Sequence, residues 1–210
     1  MFFKKKKKLN MDSLRGAFDA QKKTLIEKGY PAMLNMSAED FTNNLEALWK
    51  SFSEKARNLE IEVKGNIPLL LVVGGNLQER IKKISGHTGL DFNNIKINGA
   101  SEKLYIILDV EDGTKMVAKS SKDALKKFGK ENRQALNLDE SINLLTYYPE
   151  ILKDHYLITA GSFYNKDEED LPLLWLLDED HNPELHYAWF DIAHGSYGTA
   201  SYAVRYTNNH

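Results

Sequence analysis

Three runs of strand length are apolar at nearly every position: Pro68–Val73, Leu104–Val110 and Leu171–Leu177. A strand with one wet face alternates apolar and polar side chains, whereas Pro68–Val73 is apolar on both faces and suits a strand covered on both sides. Leu104–Val110 reads as a strand, and Leu171–Leu177 as one central in the sheet. Each run is also far shorter than the roughly 18 apolar residues needed to span a bilayer. Buried strands need other layers packed on them, and the rest of the chain is patterned to supply helices.

Leu14, Phe18 and Leu25 recur near helical spacing over Asp12–Lys28, and Gly29-Tyr30-Pro31 stops that helix. A second helix is predicted from Ser37, capped by its hydroxyl with Asp40 three residues on, burying Phe41, Leu45, Leu48 and Phe52. Trp49 lies beside that stripe, so it is expected in the core. After Gly74-Gly75, Asn76 and Glu79 cap a helix to about Ile84. Strand, glycine turn and capped helix can cradle a phosphate, but no phosphate-loop or dinucleotide motif is present, so a plain tight turn is expected. Residues 86–100 are predicted as a long loop. Glu111-Asp112-Gly113 carries turn chemistry, which predicts Lys115–Ala118 as a hairpin mate of Leu104–Val110. Ser120 or Ser121 caps a helix over Asp123–Phe128 ended by Gly129, and Asn137 with Glu140 caps another before Pro149.

Among the 210 residues there is no cysteine, which removes disulfides, thiolate ligands and cysteine nucleophiles together and favours a cytoplasmic setting. The formal net charge of −2 gives the chain no general pull on nucleic acid or acidic membranes. Charge is nevertheless unevenly placed. Residues 1–30 are lysine-rich, and every charged side chain from Asp167 to Asp191 is acidic. The Lys4–Lys8 run reads as a solvated, disordered tail over residues 1–10. The sharper reading is loose association with an anionic membrane surface or nucleic acid. No transmembrane segment is expected.

The order of motifs resembles an uncharacterised bacterial family of unknown function. The pieces are Leu108-Asp-Val-Glu-Asp-Gly113, Leu138-Asp-Glu-Ser-Ile-Asn-Leu-Leu-Thr-Tyr-Tyr-Pro-Glu150, Ala160-Gly-Ser162, Leu171-Pro-Leu-Leu-Trp175 and His194-Gly-Ser-Tyr-Gly-Thr-Ala-Ser201. The resemblance covers roughly residues 69–205. It implies a bacterial intracellular protein and no particular activity.

Chemistry-bearing residues gather at the C-terminal end. Asp191, His194 and Ser196 have the residue types of a hydrolytic triad. Triads, however, are assembled from separate elements, and no nucleophile elbow is present. The enzyme reading is a hydrolase or transferase with His194 as general base and Asp191 or Ser196 nearby. His186, Asp191 and His194 suit zinc or iron by type, but no recognised spacing supports a metal. Asp178, Asp180 and Asn182 alternate like calcium ligands, yet Pro183 stands where such a loop needs glycine. No metal and no cofactor are expected. Trp175, Trp189, Tyr197, Tyr202 and Tyr206 offer flat amphipathic surface, and His194, Arg205, Ser162 and Ser201 offer polar groups beside it. From these, Trp175, Trp189, His194, Tyr197, Arg205 and Ser162 form the expected ligand-binding set. The same composition also describes an ordinary core.

The expectation is an α+β fold: a largely antiparallel sheet from residues 68–73, 104–118, 156–164, 171–190 and 199–206, with helices packed on it. An N-terminal helical segment (11–65) precedes the α+β domain (66–210). The function expected is binding of an unidentified protein partner or small ligand at an aromatic-lined site near the C-terminal loop.

Overall fold

The computed structural model describes residues 7–99, 102–165, 169–176 and 182–208. Lys4–Lys6 of the basic run and residues 178–181 of the acidic turn lie outside the described residues. Lys7–Lys8, placed by the sequence in a solvated tail, form β1 and pair antiparallel with β2 (Glu60–Ile61).

Helix α1 (Met11–Glu27) begins at Asn10, whose side chain accepts the Ser13 N–H, and it buries Leu14, Phe18, Gln21 and Leu25. Gly29, at φ 72°, turns the chain into the short α2 (Tyr30–Met33). Helix α3 (Ala38–Ala56) starts where the sequence places it, with Ser37 Oγ accepting the Asp40 N–H at 3.0 Å. Trp49 packs between the Phe18 and Phe52 rings at 5.0 and 5.4 Å.

Strand β3 (Ile67–Val73) leads to α4 (Leu77–Lys83), capped by Asn76. The predicted loop over 86–100 contains β4 (His87–Thr88), a single 3-10 turn and β5 (Ile95–Ile97). Strand β6 (Leu104–Val110) follows. The expected hairpin return over Lys115–Ala118 is not formed; Thr114–Met116 is a 3-10 turn. Asp109 takes a left-handed φ of 56°, and the Glu111 backbone bridges to Ser201, so the chain leaves the sheet before it can double back. Gly113, at φ 104°, then brings the backbone so close to His155 and Gly198 that an added Cβ would sit 2.8 Å from the imidazole.

Helix α5 (Ser121–Glu131) is capped by Ser120 and runs through Gly129, ending instead at Asn132 in the left-handed region. The short β7 (Gln134–Ala135) precedes α6 (Leu138–Tyr147), which opens with the expected capping box between Asn137 and Glu140. Next come α7 (Ile151–Asp154), β8 (Tyr156–Ile158), β9 (Ser162–Tyr164), β10 (Asp170–Leu176) and β11 (Pro183–Trp189). The chain closes with β12 (Tyr197–Thr199), β13 (Ser201–Tyr202) and β14 (Val204–Thr207).

The architecture is α+β and largely antiparallel, but its strands do not make one sheet. A three-stranded sheet runs β14-β6-β3, and a seven-stranded sheet runs β12-β8-β10-β11-β4 with β9 and β5 attached beside β10. Two pairings in the larger sheet, β12 with β8 and β11 with β4, are parallel. Leu69, Leu71, Ile106 and Leu108 pack against α1 and α3, so the N-terminal helices share a core with the first sheet. Its opposite face, through Leu70, Val72 and Ile107, shares a second core with α6 and with Leu157, Leu174 and Leu185 of the larger sheet. This double coverage is why β3 and β6 are apolar without alternation.

Helix α6 is buried on nearly all sides because it lies between the two sheets and along the free edge of β3. Apart from Ser141, whose hydroxyl has no partner among the described residues, its buried polar residues find internal partners. Asp139 pairs with Arg80, which is 1% exposed, so the first cationic side chain after the Gly74-Gly75 turn faces inward. Glu140, wholly buried, pairs with Arg205 and accepts from the Tyr105 hydroxyl at 3.2 Å. Burial pushes the Glu140 carboxyl up, and the Arg205 charge opposes that push.

Candidate functional site

The geometry of the larger sheet creates an aromatic row that no single segment of sequence displays. Trp175 of β10 lies opposite Glu184 of β11. Leu174 pairs with Leu157, so Tyr156 of β8 stands beside Trp175; Tyr156 in turn pairs with Tyr197 of β12. Alternation places Trp175, Tyr156 and Tyr197 on the same outer face. Their rings touch in sequence, at 6.1 Å for Tyr156–Trp175 and 6.2 Å for Tyr156–Tyr197. His194 extends the row beyond Tyr197 at 4.4 Å, and His186 extends it beyond Trp175 at 5.4 Å. The three central rings are half-buried, and both histidines are exposed.

Neighbouring rows of that face are covered. Leu171, Leu173, Ile158 and Ala188 are buried beneath Leu125 of α5 and beneath Phe190 and Ile192 of the loop after β11. The aromatic row is thus the uncovered margin of an otherwise packed surface. Trp175 Nε1 donates to Glu184 Oε2 at 2.8 Å, which fixes the indole and sets a carboxylate at its edge. Tyr156 is held by its backbone N–H donating to the Ser196 carbonyl at 2.7 Å.

Tyr156, the middle ring of the row, also lines a cleft of about 840 Å³ at the end of the sheet. Its walls come from the end of α4 (Ile84, Ser85), from the α6–α7 turn through His155, and from Tyr156, Leu176, Asn182, Pro183 and Ser196. Glu150, Lys153 and Asp154 are its charged lining residues. His155, 3% exposed, is anchored through Nε2 to the Asp112 carbonyl at 3.0 Å, while its Nδ1 has no hydrogen-bond partner among the described residues.

The expected ligand-binding residues fall in three places. Trp175, Tyr197 and His194 belong to the row. Trp189 projects from the opposite face of β11 and is 68% exposed. Ser162 lies in the interior beside α6, and Arg205 is half-buried at the edge of that region, where it pairs with Glu140. The Arg205 guanidinium sits between the Tyr105 and Tyr202 rings at 5.2 and 5.3 Å, bonded to Glu140 and to the Gly99 carbonyl. Ser162 Oγ is fully buried and accepts the Leu138 N–H at 2.9 Å, serving the start of α6.

Nor do the triad candidates assemble. His194 Nδ1 accepts the backbone N–H of Ser196 at 3.2 Å, which leaves its ring proton on Nε2. Asp191 points to solvent and pairs with Lys122 at 3.3 Å. A serine nucleophile requires its hydroxyl, not its amide, on the imidazole, and a carboxylate on the other nitrogen. Among the described residues no group of three histidines and carboxylates converges as a metal site would.

Tyr156, Glu184 and the Glu150–Asp154 stretch are the site residues that sequence reasoning missed. The sequence placed Tyr156 in a strand, but only the strand register brings it beside Trp175.

Fold and site together define an α+β protein with a cleft at the margin of its larger sheet, adjoining an aromatic row at Tyr156. The chain belongs to a family of unknown function (DUF5701), whose model matches residues 24–208. That range extends the resemblance read from the motifs back through all of α3 and α2 to the last turn of α1. No curated protein and no solved structure matches the chain. No helix among the described residues is long and apolar enough to cross a membrane.

Proposed function

We propose that this is a bacterial cytoplasmic binding protein whose ligand lies in the cleft and across the Trp175–Tyr156–Tyr197 row. The observation that carries the reading is the row itself: three half-buried rings in register across three strands, left uncovered where neighbouring rows are packed. Rings of this kind bury large area at low entropic cost and are the usual anchors of recognition surfaces. The volume of the cleft falls within the range of ligand sites. The cysteine-free composition supports a reducing compartment.

Trp175 reports on the site directly. In a chain carrying Trp49→Phe and Trp189→Phe it is the single tryptophan. The full chain would be titrated with a basic peptide, an acidic peptide, a neutral oligosaccharide and a mononucleotide. A saturable emission change with one of them, removed by Tyr197→Ala, is the expected result. No change with any of the four contradicts the reading.

A further inference from the structure

The charge around the row narrows what the cleft accepts. Glu184 stands at the Trp175 indole, and Glu150 and Asp154 line the cleft against a single lysine, Lys153. Strands β10 and β11, which carry Trp175 and Glu184, belong to the stretch from Asp167 to Asp191, whose charged side chains are all acidic. A phosphate-bearing polymer would meet net repulsion here, and single-stranded nucleic acid requires a basic groove. The rings also tilt rather than run parallel: Tyr156 meets Trp175 at 81° and Tyr197 at 48°. A tilted pair does not offer the successive parallel faces on which flat bases stack. It does offer a ring face with a carboxylate at its edge, the arrangement that holds a guanidinium or ammonium by cation–π attraction and a charge-assisted hydrogen bond.

We infer that the cleft and row bind an extended peptide segment bearing spaced arginine or lysine side chains, an inference that rests on the binding reading above. One cationic side chain lies over Trp175 and Tyr156 and donates to Glu184. The peptide backbone continues into the cleft, where the neutral polar groups of Ser85, Asn182 and Ser196 can bond to it. Those neutral groups are what separate a peptide from a bare polyamine, which has no carbonyl or amide to match them.

The test uses the single-tryptophan full chain and three probes: an alternating arginine–serine decapeptide, its glutamate–serine counterpart, and spermine. The arginine peptide is expected to bind saturably and to weaken roughly three- to tenfold on Glu184→Gln, a substitution that keeps the shape of the site. Its affinity should also fall as salt rises. Trp189→Ala in an otherwise native chain, read by anisotropy of a labelled peptide, should leave it unchanged. Equal or tighter binding of the glutamate peptide or of spermine overturns the cationic-peptide inference while leaving the cleft as a binding site. Silence of Trp175 toward these probes and toward the neutral sugar and nucleotide overturns both.

Discussion

Asn143 makes both hydrogen bonds of a missing strand with Val73: the Val73 N–H donates to Oδ1 at 3.1 Å, and Nδ2 donates to the Val73 carbonyl at 3.1 Å. Four residues earlier on the same edge, Gln21 repeats the device across Leu69 and Leu71, at 2.8 and 2.7 Å. The Tyr147 hydroxyl takes the remaining Leu71 carbonyl at 2.8 Å. The open edge of β3 is thus closed by side chains of α1 and α6, without a further strand. An uncovered edge of such apolar sequence would pair with other chains.

Removing one of these amides leaves buried backbone groups without partners. Asn143→Leu is expected to lower stability by about 2–4 kcal/mol, since each orphaned group costs roughly 1–3 kcal/mol. Gln21→Leu should behave alike, and the double variant should associate in addition. Urea unfolding and size-exclusion chromatography measure the two effects; unchanged midpoints in both single variants would contradict the edge-closing role.

A second polar element holds the turn after β6. Arg133 pairs with the Asp109 carboxylate and carbonyl and donates through Nε to Ser201 at 2.9 Å. The other Asp109 oxygen accepts the Lys64 and Gly65 N–H groups at 2.9 and 2.7 Å. Breaking a buried pair by deleting one partner costs about 3–5 kcal/mol, so Arg133→Ala should be among the most destabilising single changes. Thermal unfolding against a surface control such as Lys126→Ala gives the comparison.

Glu111 introduces a pH dependence. Burial pushes its carboxyl above the usual carboxylate range, despite the Lys115 N–H that donates to it at 2.9 Å. Because the folded value is raised, the stabilisation is full below the unfolded value of about 4.5 and is lost as pH rises through the folded value. Glu111→Gln removes this loss and retains an acceptor for Lys115. The stability gap between variant and native chain should therefore shift in favour of the variant as pH rises from 4 to 7, read from urea midpoints. A gap independent of pH would contradict it.

The loop after β11 should tolerate change. His194 and Asp191 are exposed: His194 holds the Ser196 and Tyr197 N–H groups and lies against the Tyr197 ring, and Asp191 makes a solvent-facing ion pair. Substitutions at such positions stay within roughly 0.5 kcal/mol. His194→Ala and Asp191→Ala should thus leave the unfolding midpoint in place, and a large loss would show that the loop carries structural load.

Much of the fold was legible because the relevant physics is local. The caps at Ser37, Asn76, Ser120 and Asn137 all form as their spacing implies. The unalternating run Pro68–Val73 announced double coverage, and Gly29 marked its turn. What failed depended on distant partners. The hairpin expected from Asp112-Gly113 lost to the long-range pairing of β6 with β3 and β14. Gly129 did not stop α5, since the left-handed turn falls at Asn132. At the candidate site, composition pointed to Trp175, Tyr197 and His194, but it could not separate them from Arg205 and Ser162. The latter two are polar because a helix buried between two sheets needs internal partners for its own polar groups.

The most direct measurement is a two-dimensional NMR titration of the full native chain with the arginine–serine peptide, following the tryptophan indole N–H signals. The Trp175 indole, which donates to Glu184, should move in a saturable manner, with backbone shifts clustered at Tyr156, Ser196, Tyr197 and residues 150–155. The Trp49 and Trp189 indoles should stay in place. Shifts centred on Trp189, or on the lysines of α5, would place binding elsewhere and contradict the account.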